Sequence, residues 1–199
     1  CDLPQLDDAA IKGIIGLGLP EAIRSLYPHL DDFRLIERFR GAYSDQYLLL
    51  EDEPSALFSG VAESLEAFRA DGYRLAVATG KSRHGLRRVL QGRGWLDYFD
   101  VTRCADETAS KPHPLMLQEI LGHCRVAPEQ ALMVGDSVFD LQMASNAGVD
   151  SVAVGFGAQS LDTLRAHGPR LAINEFSELR AWLGVHTHEK TLGVGEYVG

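Results

Sequence analysis

ALMVGDSVFD, residues 131–140, passes from an apolar run into a polar turn at Gly135. The run predicts a buried strand, and the residues after the turn predict a helix that ends near Gly148. Asp136 follows the strand directly, and Asp140 lies one helical turn further on. Asp136 or Ser137 could simply cap the helix, with Asp140 favouring its dipole. Alternatively, both carboxylates could face one point above the edge of a sheet, where hard oxygen ligands suit Mg²⁺. On this second reading we predict Asp136 and Asp140 as a magnesium site.

Strand and helix patterns alternate along the chain from Val61 onward. This alternation predicts an α/β fold with a doubly wound, Rossmann-like parallel sheet. Three of the strands are almost continuously apolar, which predicts a sheet covered by helices on both faces. These strands contain LAVA (75–78), ALMV (131–134) and SVAV (151–154).

The residues before about Pro54 have a helical pattern only. The stretch EDEPSALFSG (51–60) that follows is typical of a linker, and the last residues of the chain have no period. We therefore predict a partial α-helical cap domain over residues 1–56, an α/β core over residues 57–184 and a flexible tail over residues 185–199.

The composition limits the possible partners and the compartment. The 199 residues carry a formal net charge of -9, and such a surface repels nucleic acid and anionic membrane. The sequence contains no apolar stretch long enough to span a bilayer, so we predict neither nucleic acid nor membrane as a partner. Three cysteines without C-x-x-C spacing argue against a disulfide framework and predict a reducing, cytoplasmic location.

A second strand end lies at Thr79 and Gly80. A threonine hydroxyl and the N–H groups of the next helix could cradle a phosphate, although Thr-Gly after a strand is also an ordinary turn. Lys81, Arg83 and His84 add positive charge there. Thr79, Gly80 and Lys81 are therefore candidate substrate-binding residues.

Lys111 marks the third strand end, just before two prolines in SKPHP (110–114). It could be a solvated lysine at a helix start. It could also be a fixed ammonium that neutralises charge on a nucleophile and on a transferred phosphoryl group. On the second reading Lys111 is a candidate catalytic residue.

Together and in this order, three motifs resemble those of the haloacid dehalogenase superfamily. They are VATGK (77–81), SKPHP (110–114) and VGDSVFDLQMASNAGVDSVAV (134–154). The resemblance extends over about residues 7–183 and is to the phosphoglycolate phosphatase-like branch, whose members carry a helical cap.

The resemblance implies a role for each matched residue. Thr79 would bind the phosphate, and Lys111 would stabilise the nucleophile and the phosphate. Asp136 would hold Mg²⁺, and Asp140 would support the metal site through water or by bonding Lys111. The implied activity is Mg²⁺-dependent hydrolysis of a small phosphorylated metabolite, such as phosphoglycolate, through an aspartyl-phosphate. The implied protein is a monomer or a homodimer.

Two alternatives stay open from the sequence. A phosphomutase of the same superfamily would share all three motifs, but it would be expected to place a basic residue in the cap loop. The corresponding stretch, IIGLGLPEA (14–22), contains none. A non-catalytic binding or regulatory module with this fold is the other alternative.

The chain departs from the family pattern at its start. Family members carry a D-x-D-G-T loop after a first, central strand, ahead of the cap, and its first Asp attacks phosphorus. The nearest imitation is Asp100 in YFDVTR (98–103), which lacks the second Asp and falls between the second and third motifs. Residues 1–199 alone are therefore expected to be inactive. We also expect the missing central strand to leave two apolar sheet edges, which about 25–30 further residues would complete.

Overall fold

The computed structural model of the protein describes Pro4 and residues 6–30, 32–50 and 56–184. The predicted tail, and residues 51–55 of the predicted linker, lie outside these ranges. The helices are α1 (Asp8–Gly13), α2 (Leu19–Leu26), α3 (Phe33–Leu50), α4 (Val61–Ala70), α5 (Arg83–Gly92), α6 (Leu115–Cys124), α7 (Val138–Ala147), α8 (Leu161–Arg165) and α9 (Phe176–Trp182). The strands are β1 (Ala76–Thr79), β2 (Val101–Cys104), β3 (Leu132–Gly135), β4 (Asp150–Val154) and β5 (Leu171–Ile173). None of the helices in these ranges is long and apolar enough to cross a membrane.

All strand pairs in the described residues are parallel, which confirms the predicted α/β class. The strands form two sheets, with the orders β1–β2 and β3–β4–β5. Ala76 lies opposite Val101 in the first sheet, and Leu132 lies opposite Asp150 in the second. The single continuous sheet that the alternation predicts is thus divided between β1 and β3.

Helices cover both faces of the larger sheet, as predicted. Side chains alternate along a strand, so neighbouring residues of β4 enter different clusters. Val152 and Val154 pack with Phe68 of α4 on one face, whereas Ala153 packs with Leu164 of α8 on the other. The fold is therefore doubly wound around β4.

A buried cluster formed by α6 and α7 joins the two sheets. Met116 of α6 and Met143 of α7 are fully buried in one cluster, against which Ala78 of β1 and Met133 of β3 both pack. The two sheets therefore share an apolar core, although no backbone pairing between β1 and β3 is seen in the described part of the chain.

The three apolar strands differ in burial. In β4 every residue after Asp150 is buried. In β1, Ala76 is exposed and the other residues are half-buried, and in β3 only Gly135 is buried. Complete burial is thus confirmed for β4, whereas β1 and β3 are only partly buried. The physical reason is that β4 has a strand on each side, whereas β1 pairs only with β2 and β3 only with β4 among the described residues.

The first three helices precede the sheets. Ile23 of α2 and Ile36 of α3 are both 2% exposed, and these two helices pack on each other. The linker residues 56–58 have no regular structure and lead into α4. The division of the chain into a cap and a core at residue 56 remains a prediction.

Substitution of Leu164 tests the packing of α8 on β4. Leu164 is fully buried, so Leu164→Ala should lower the free energy of unfolding by about 2–5 kcal/mol, because it removes buried methyl groups and leaves a cavity. Leu96→Ala, at a 46% exposed position, is the matched control and should cost less than about 1 kcal/mol. Urea unfolding monitored by circular dichroism measures both, and equal losses would contradict the packing.

Candidate active site

The carboxyl ends of β1, β2 and β3 carry the predicted site residues. Thr79 ends β1, Gly135 ends β3 immediately before Asp136, and Lys111 lies in the connection from β2 to α6. Ligands of open parallel sheets bind at the carboxyl ends of the strands, so this edge is the expected place for a site.

Lys111 and Asp140 form a buried ion pair. The Lys111 Nζ lies 2.5 Å from Asp140 Oδ1, and the two residues are 6% and 3% exposed. The structure therefore brings the predicted catalytic lysine and one of the two predicted metal-site carboxylates into contact. It also matches one of the two roles that the resemblance implies for Asp140, the bond to Lys111.

Asp140 has further partners on its other oxygen. Asp140 Oδ2 accepts hydrogen bonds from the N–H of Ser137, at 3.2 Å, and from its hydroxyl, at 2.8 Å. Ser137 is the N-cap of α7, and the two residues form a capping box. Gly135 is required beside them, because a Cβ there would overlap the Asp140 side chain. Both Asp140 oxygens thus face protein donors, and the part of Asp140 as a metal ligand remains a prediction.

Asp136 is held differently, by the loop between β4 and α8. Asp136 Oδ2 accepts the N–H of Ala158 at 2.9 Å, and the Asp136 carbonyl accepts the N–H of Gln159 at 3.1 Å. Gly157 allows this approach, because a Cβ there would overlap the Asp136 carboxylate. Sequence reasoning missed this support, for which the only signal is the pair of glycines in VGFGA (154–158).

The residues present can be tested against a magnesium ion. The described residues contain no group of three or more His, Cys, Asp or Glu side chains that could hold a metal. Asp136 is half-buried with one oxygen committed to Ala158, so it offers a single carboxylate at the carboxyl edge. That set fits Mg²⁺, which binds through one or two carboxylates and keeps waters or substrate oxygens in its other positions.

The predicted phosphate cradle is partly occupied by the protein itself. Thr79 Oγ1 accepts the N–H of Lys81 at 3.2 Å, and Ser82 Oγ accepts the N–H of Gly85 at 3.2 Å. The N–H of Arg83 donates to Asp106 Oδ1 at 2.9 Å. Three of the N–H groups around the start of α5 therefore already have acceptors.

Arg83 does not supply the free positive charge that the sequence suggested. Its guanidinium donates to Glu107 Oε1 at 2.6 Å and to Thr102 Oγ1 at 2.6 Å, and forms a salt bridge with Glu107. This hydrogen bond lowers the pKa of the Glu107 carboxyl and raises the pKa of Arg83. Arg83 and Glu107 neutralise each other's charge, and their salt bridge connects α5 to the residues that follow β2.

The turn between α1 and α2 lies against the same edge. A Cβ on Gly80 would lie 2.5 Å from the carbonyl oxygen of Leu17, and one on Gly16 would lie 2.5 Å from Ser137 Oγ. The N–H of Gly18 donates to Ser110 Oγ at 2.7 Å. The contact of Ser110 with Gly18 was also missed by sequence reasoning, since nothing in its spacing indicates this long-range partner. Ser137 was expected only as a possible helix cap, a role that the structure confirms.

Two other side chains, those of Asp100 and Cys104, do not take part in the proposed chemistry. Asp100 precedes the amino end of β2, where its carboxylate accepts the N–H of Leu75 at 2.8 Å, so it lies at the opposite end of the strand from Cys104. Burial raises the pKa of the Cys104 thiol to about 11, which keeps it protonated at neutral pH. Asp100 therefore lies at the wrong end of β2 to act as a nucleophile, and Cys104, although it ends β2 at the carboxyl edge, is fully buried and protonated.

Comparison with known proteins gives consistent matches. Residues 1–154 match the family model of haloacid dehalogenase-like hydrolases. A Dickeya dadantii protein named "Probable phosphatase IndB" is 34% identical over 184 residues, which cover 89% of this chain and 78% of that protein. A phosphoglycolate phosphatase of Nitrosospira multiformis is 34% identical over 158 residues, which cover 77% of this chain and 70% of that enzyme. The fold is similar to that of a haloacid dehalogenase-like family hydrolase from Streptococcus pneumoniae, with a TM-score of 0.74, 22% identity, and coverage of 91% of this chain and 83% of that one.

The buried ion pair can be tested by a double-mutant cycle. Asp140→Asn leaves the Lys111 ammonium buried without its counter-charge, so it should lower the free energy of unfolding by about 3–5 kcal/mol. Lys111→Met should be destabilising too, because it leaves the Asp140 carboxylate unpaired. The double variant should lose less than the sum of the two single losses, because neither charge is then left alone. Losses that simply add, measured by urea unfolding, would show that the two side chains do not interact.

Proposed function

The chain belongs to the haloacid dehalogenase-like hydrolases, and we propose that it hydrolyses a small phosphate monoester with Mg²⁺ at the carboxyl edge of β1 and β3. Family resemblance makes it a phosphoric monoester hydrolase. The observation that carries the finer proposal is the buried contact between Lys111 and Asp140, beside Asp136.

Lys111 is the proposed electrostatic centre for the transferred phosphoryl group. Its stem is buried and its ammonium is fixed at 2.5 Å from Asp140, so it cannot swing away into solvent. A fixed positive charge stabilises the charge that develops on phosphoryl oxygens without reorganising in the transition state. Asp140 has the role of orienting and balancing this ammonium.

Thr79, Gly80 and Lys81 are the proposed contacts to the phosphate. Thr79 lies at the end of β1 and is half-buried, so its hydroxyl remains within reach of the edge. The space that a Gly80 Cβ would fill is taken by the Leu17 carbonyl oxygen, so Gly80 would contact the phosphate through its backbone. The exposed Lys81 side chain adds positive charge from the solvent side.

Asp136 is the proposed protein ligand of Mg²⁺. The N–H of Ala158 and the packing of Gly157 fix the Asp136 carboxylate in place, which prepares it for a cation. When bound, Mg²⁺ would supply charge neutralisation and orientation for the phosphate.

The nucleophile is proposed to come from a parallel strand inserted between β1 and β3. Three observations support this place: the sheet is divided there, both flanking strands are only half-buried, and one core cluster continues beneath them. A strand in that position would end between Thr79 and Asp136. An aspartate at its end would attack phosphorus in line, and water would then hydrolyse the aspartyl-phosphate.

The turn beside Gly80 favours hydrolysis over the mutase alternative. Gly16, Leu17 and Gly18 lie against the edge and carry no basic side chain that could grip a second phosphate. A small substrate of the phosphoglycolate type fits the close approach of this turn, and phosphoglycolate itself is the proposed candidate. The non-catalytic alternative is separated from hydrolysis by the measurements below.

Substitution at Asp136 tests the metal site. In the full gene product, Asp136→Asn should reduce Mg²⁺-dependent phosphate release from p-nitrophenyl phosphate by at least about 100-fold, because the carboxylate charge is lost. It should also abolish the rise in melting temperature that Mg²⁺ gives the parent protein. Asp162→Asn, whose side chain is 94% exposed, is the matched control and should change neither value. Full activity of Asp136→Asn would overturn the assignment.

The strand can be tested by comparing two polypeptides. Residues 1–199 alone should release no phosphate, whereas the same residues joined to a strand that supplies the aspartate should be active and more resistant to urea. Mass spectrometry confirms the length of the polypeptide in each sample. Activity in a folded sample of residues 1–199 would show that no inserted strand is needed.

A further inference from the structure

The turn between α1 and α2 carries a feature beyond the proposed function. This closing turn, Gly16–Gly18, contacts the carboxyl edge at three points. It meets Ser137 after β3, Gly80 after β1 and Ser110 just before Lys111. A segment of three residues therefore connects all three site motifs.

The contact with Ser110 is a directed hydrogen bond. The N–H of Gly18 donates to Ser110 Oγ at 2.7 Å, and the Ser110 hydroxyl donates in turn to the carbonyl of Lys111 at 3.3 Å. The hydroxyl proton is thus engaged, which leaves an oxygen lone pair directed at Gly18. Ser110 is partly shielded from solvent, so this bond is less exposed to competition from water than a surface contact.

The other contacts are steric and explain why glycines form the turn. An ideal Cβ on Gly80 would lie 2.5 Å from the Leu17 carbonyl oxygen, and one on Gly18 would lie 3.0 Å from the Ala105 Cβ. Gly16 has a φ of 111°, in the region that favours glycine. The glycines permit the close approach, but they supply no attraction of their own.

We propose that Ser110 is a positioning residue, whose hydroxyl latches the closing turn over the catalytic edge. This consequence for catalysis rests on the proposed function. With the latch made, α1 and α2 are held against the site, which would exclude water and hold a substrate beside Thr79. Ser110 itself touches no reacting atom and acts through Gly18.

The test removes the acceptor and then restores it. In the full gene product, Ser110→Ala should raise the exchange rate of the Gly18 amide hydrogen by about three- to tenfold, as expected for the loss of one hydrogen bond. The KM for p-nitrophenyl phosphate should rise by a similar factor, with kcat changed less than about twofold. Ser110→Thr keeps a hydroxyl and should return both values towards those of the parent protein.

A second variant should also displace the closing turn from the carboxyl edge, without changing Ser110. Gly80→Ala places a methyl group against the Leu17 carbonyl, so it should force the closing turn outward and raise exchange at Gly18 by a comparable factor. Gly13→Ala, where a Cβ would meet nothing within 4 Å, is its matched control. Ser145→Ala, on the exposed side of α7, is the control for the serine substitution.

The possible outcomes distinguish a failure of the Ser110–Gly18 latch from a failure of the proposed function. Unchanged exchange at Gly18 in Ser110→Ala would show that the latch does not exist. Faster exchange with an unchanged KM would overturn the positioning role. If the parent protein releases no phosphate at all, the proposed function fails. In that case the exchange data still decide whether Ser110 holds the turn.

Discussion

The ion pair between Lys111 and Asp140 is the contact on which the site geometry depends. It joins residues 29 apart in sequence, one before α6 and the other in the first turn of α7. The same Asp140 carboxylate receives both donors of Ser137 and packs against Gly135. Because Asp136 lies between Gly135 and Ser137, its backbone is fixed from both sides by this arrangement. A change in the pair would therefore move the proposed metal ligand even though neither partner contacts it directly.

The divided sheet sets a second constraint. Parallel strands gain most of their stability from burial on both faces, and β4 meets this condition while β1 and β3 do not. Helices α6 and α7 compensate in part, since the buried cluster that they form packs against Ala78 of one sheet and Met133 of the other. Side-chain packing thus holds the two sheets together where backbone pairing is not seen in the described residues. The same place lies beneath the Gly16–Gly18 turn, so the proposed nucleophile, the metal ligand and the closing turn would meet at one point.

The sequence allowed the elements to be predicted better than their contacts. Alternating apolar patterns indicated the order of strands and helices, because burial dictates these periods locally. The strand predicted around LAVA (75–78) is β1 at Ala76–Thr79, since pairing with β2 and not hydrophobicity sets its limits. The candidate site residues at the strand ends could be predicted because they lie in three short motifs, each of which is contiguous in sequence.

The contacts that the sequence did not reveal share a different property, namely that the two partners are distant in the chain. Ser110 bonds Gly18, and Asp136 is held by Ala158. No local sequence pattern predicts such contacts, because they form only when loops from different strands meet at one edge of the sheet. The interpretation of Arg83 was wrong for the same reason. Its neutralising partner, Glu107, lies 24 residues away.

The local charges explain why a cation would be needed for the proposed reaction. The protein carries a net charge of -9, and the two best-placed cations near the edge are already paired, Lys111 with Asp140 and Arg83 with Glu107. Several N–H groups at the start of α5 are also committed to protein acceptors, so they add little attraction for an anion. A phosphate dianion and an aspartate nucleophile would bring about three further negative charges to this edge, where like charges repel strongly at close range. The Lys111 ammonium can offset only part of that charge while it remains bonded to Asp140. A divalent ion on Asp136 would offset most of the remainder, which is the physical reason why the proposed hydrolysis and the proposed Mg²⁺ site require each other.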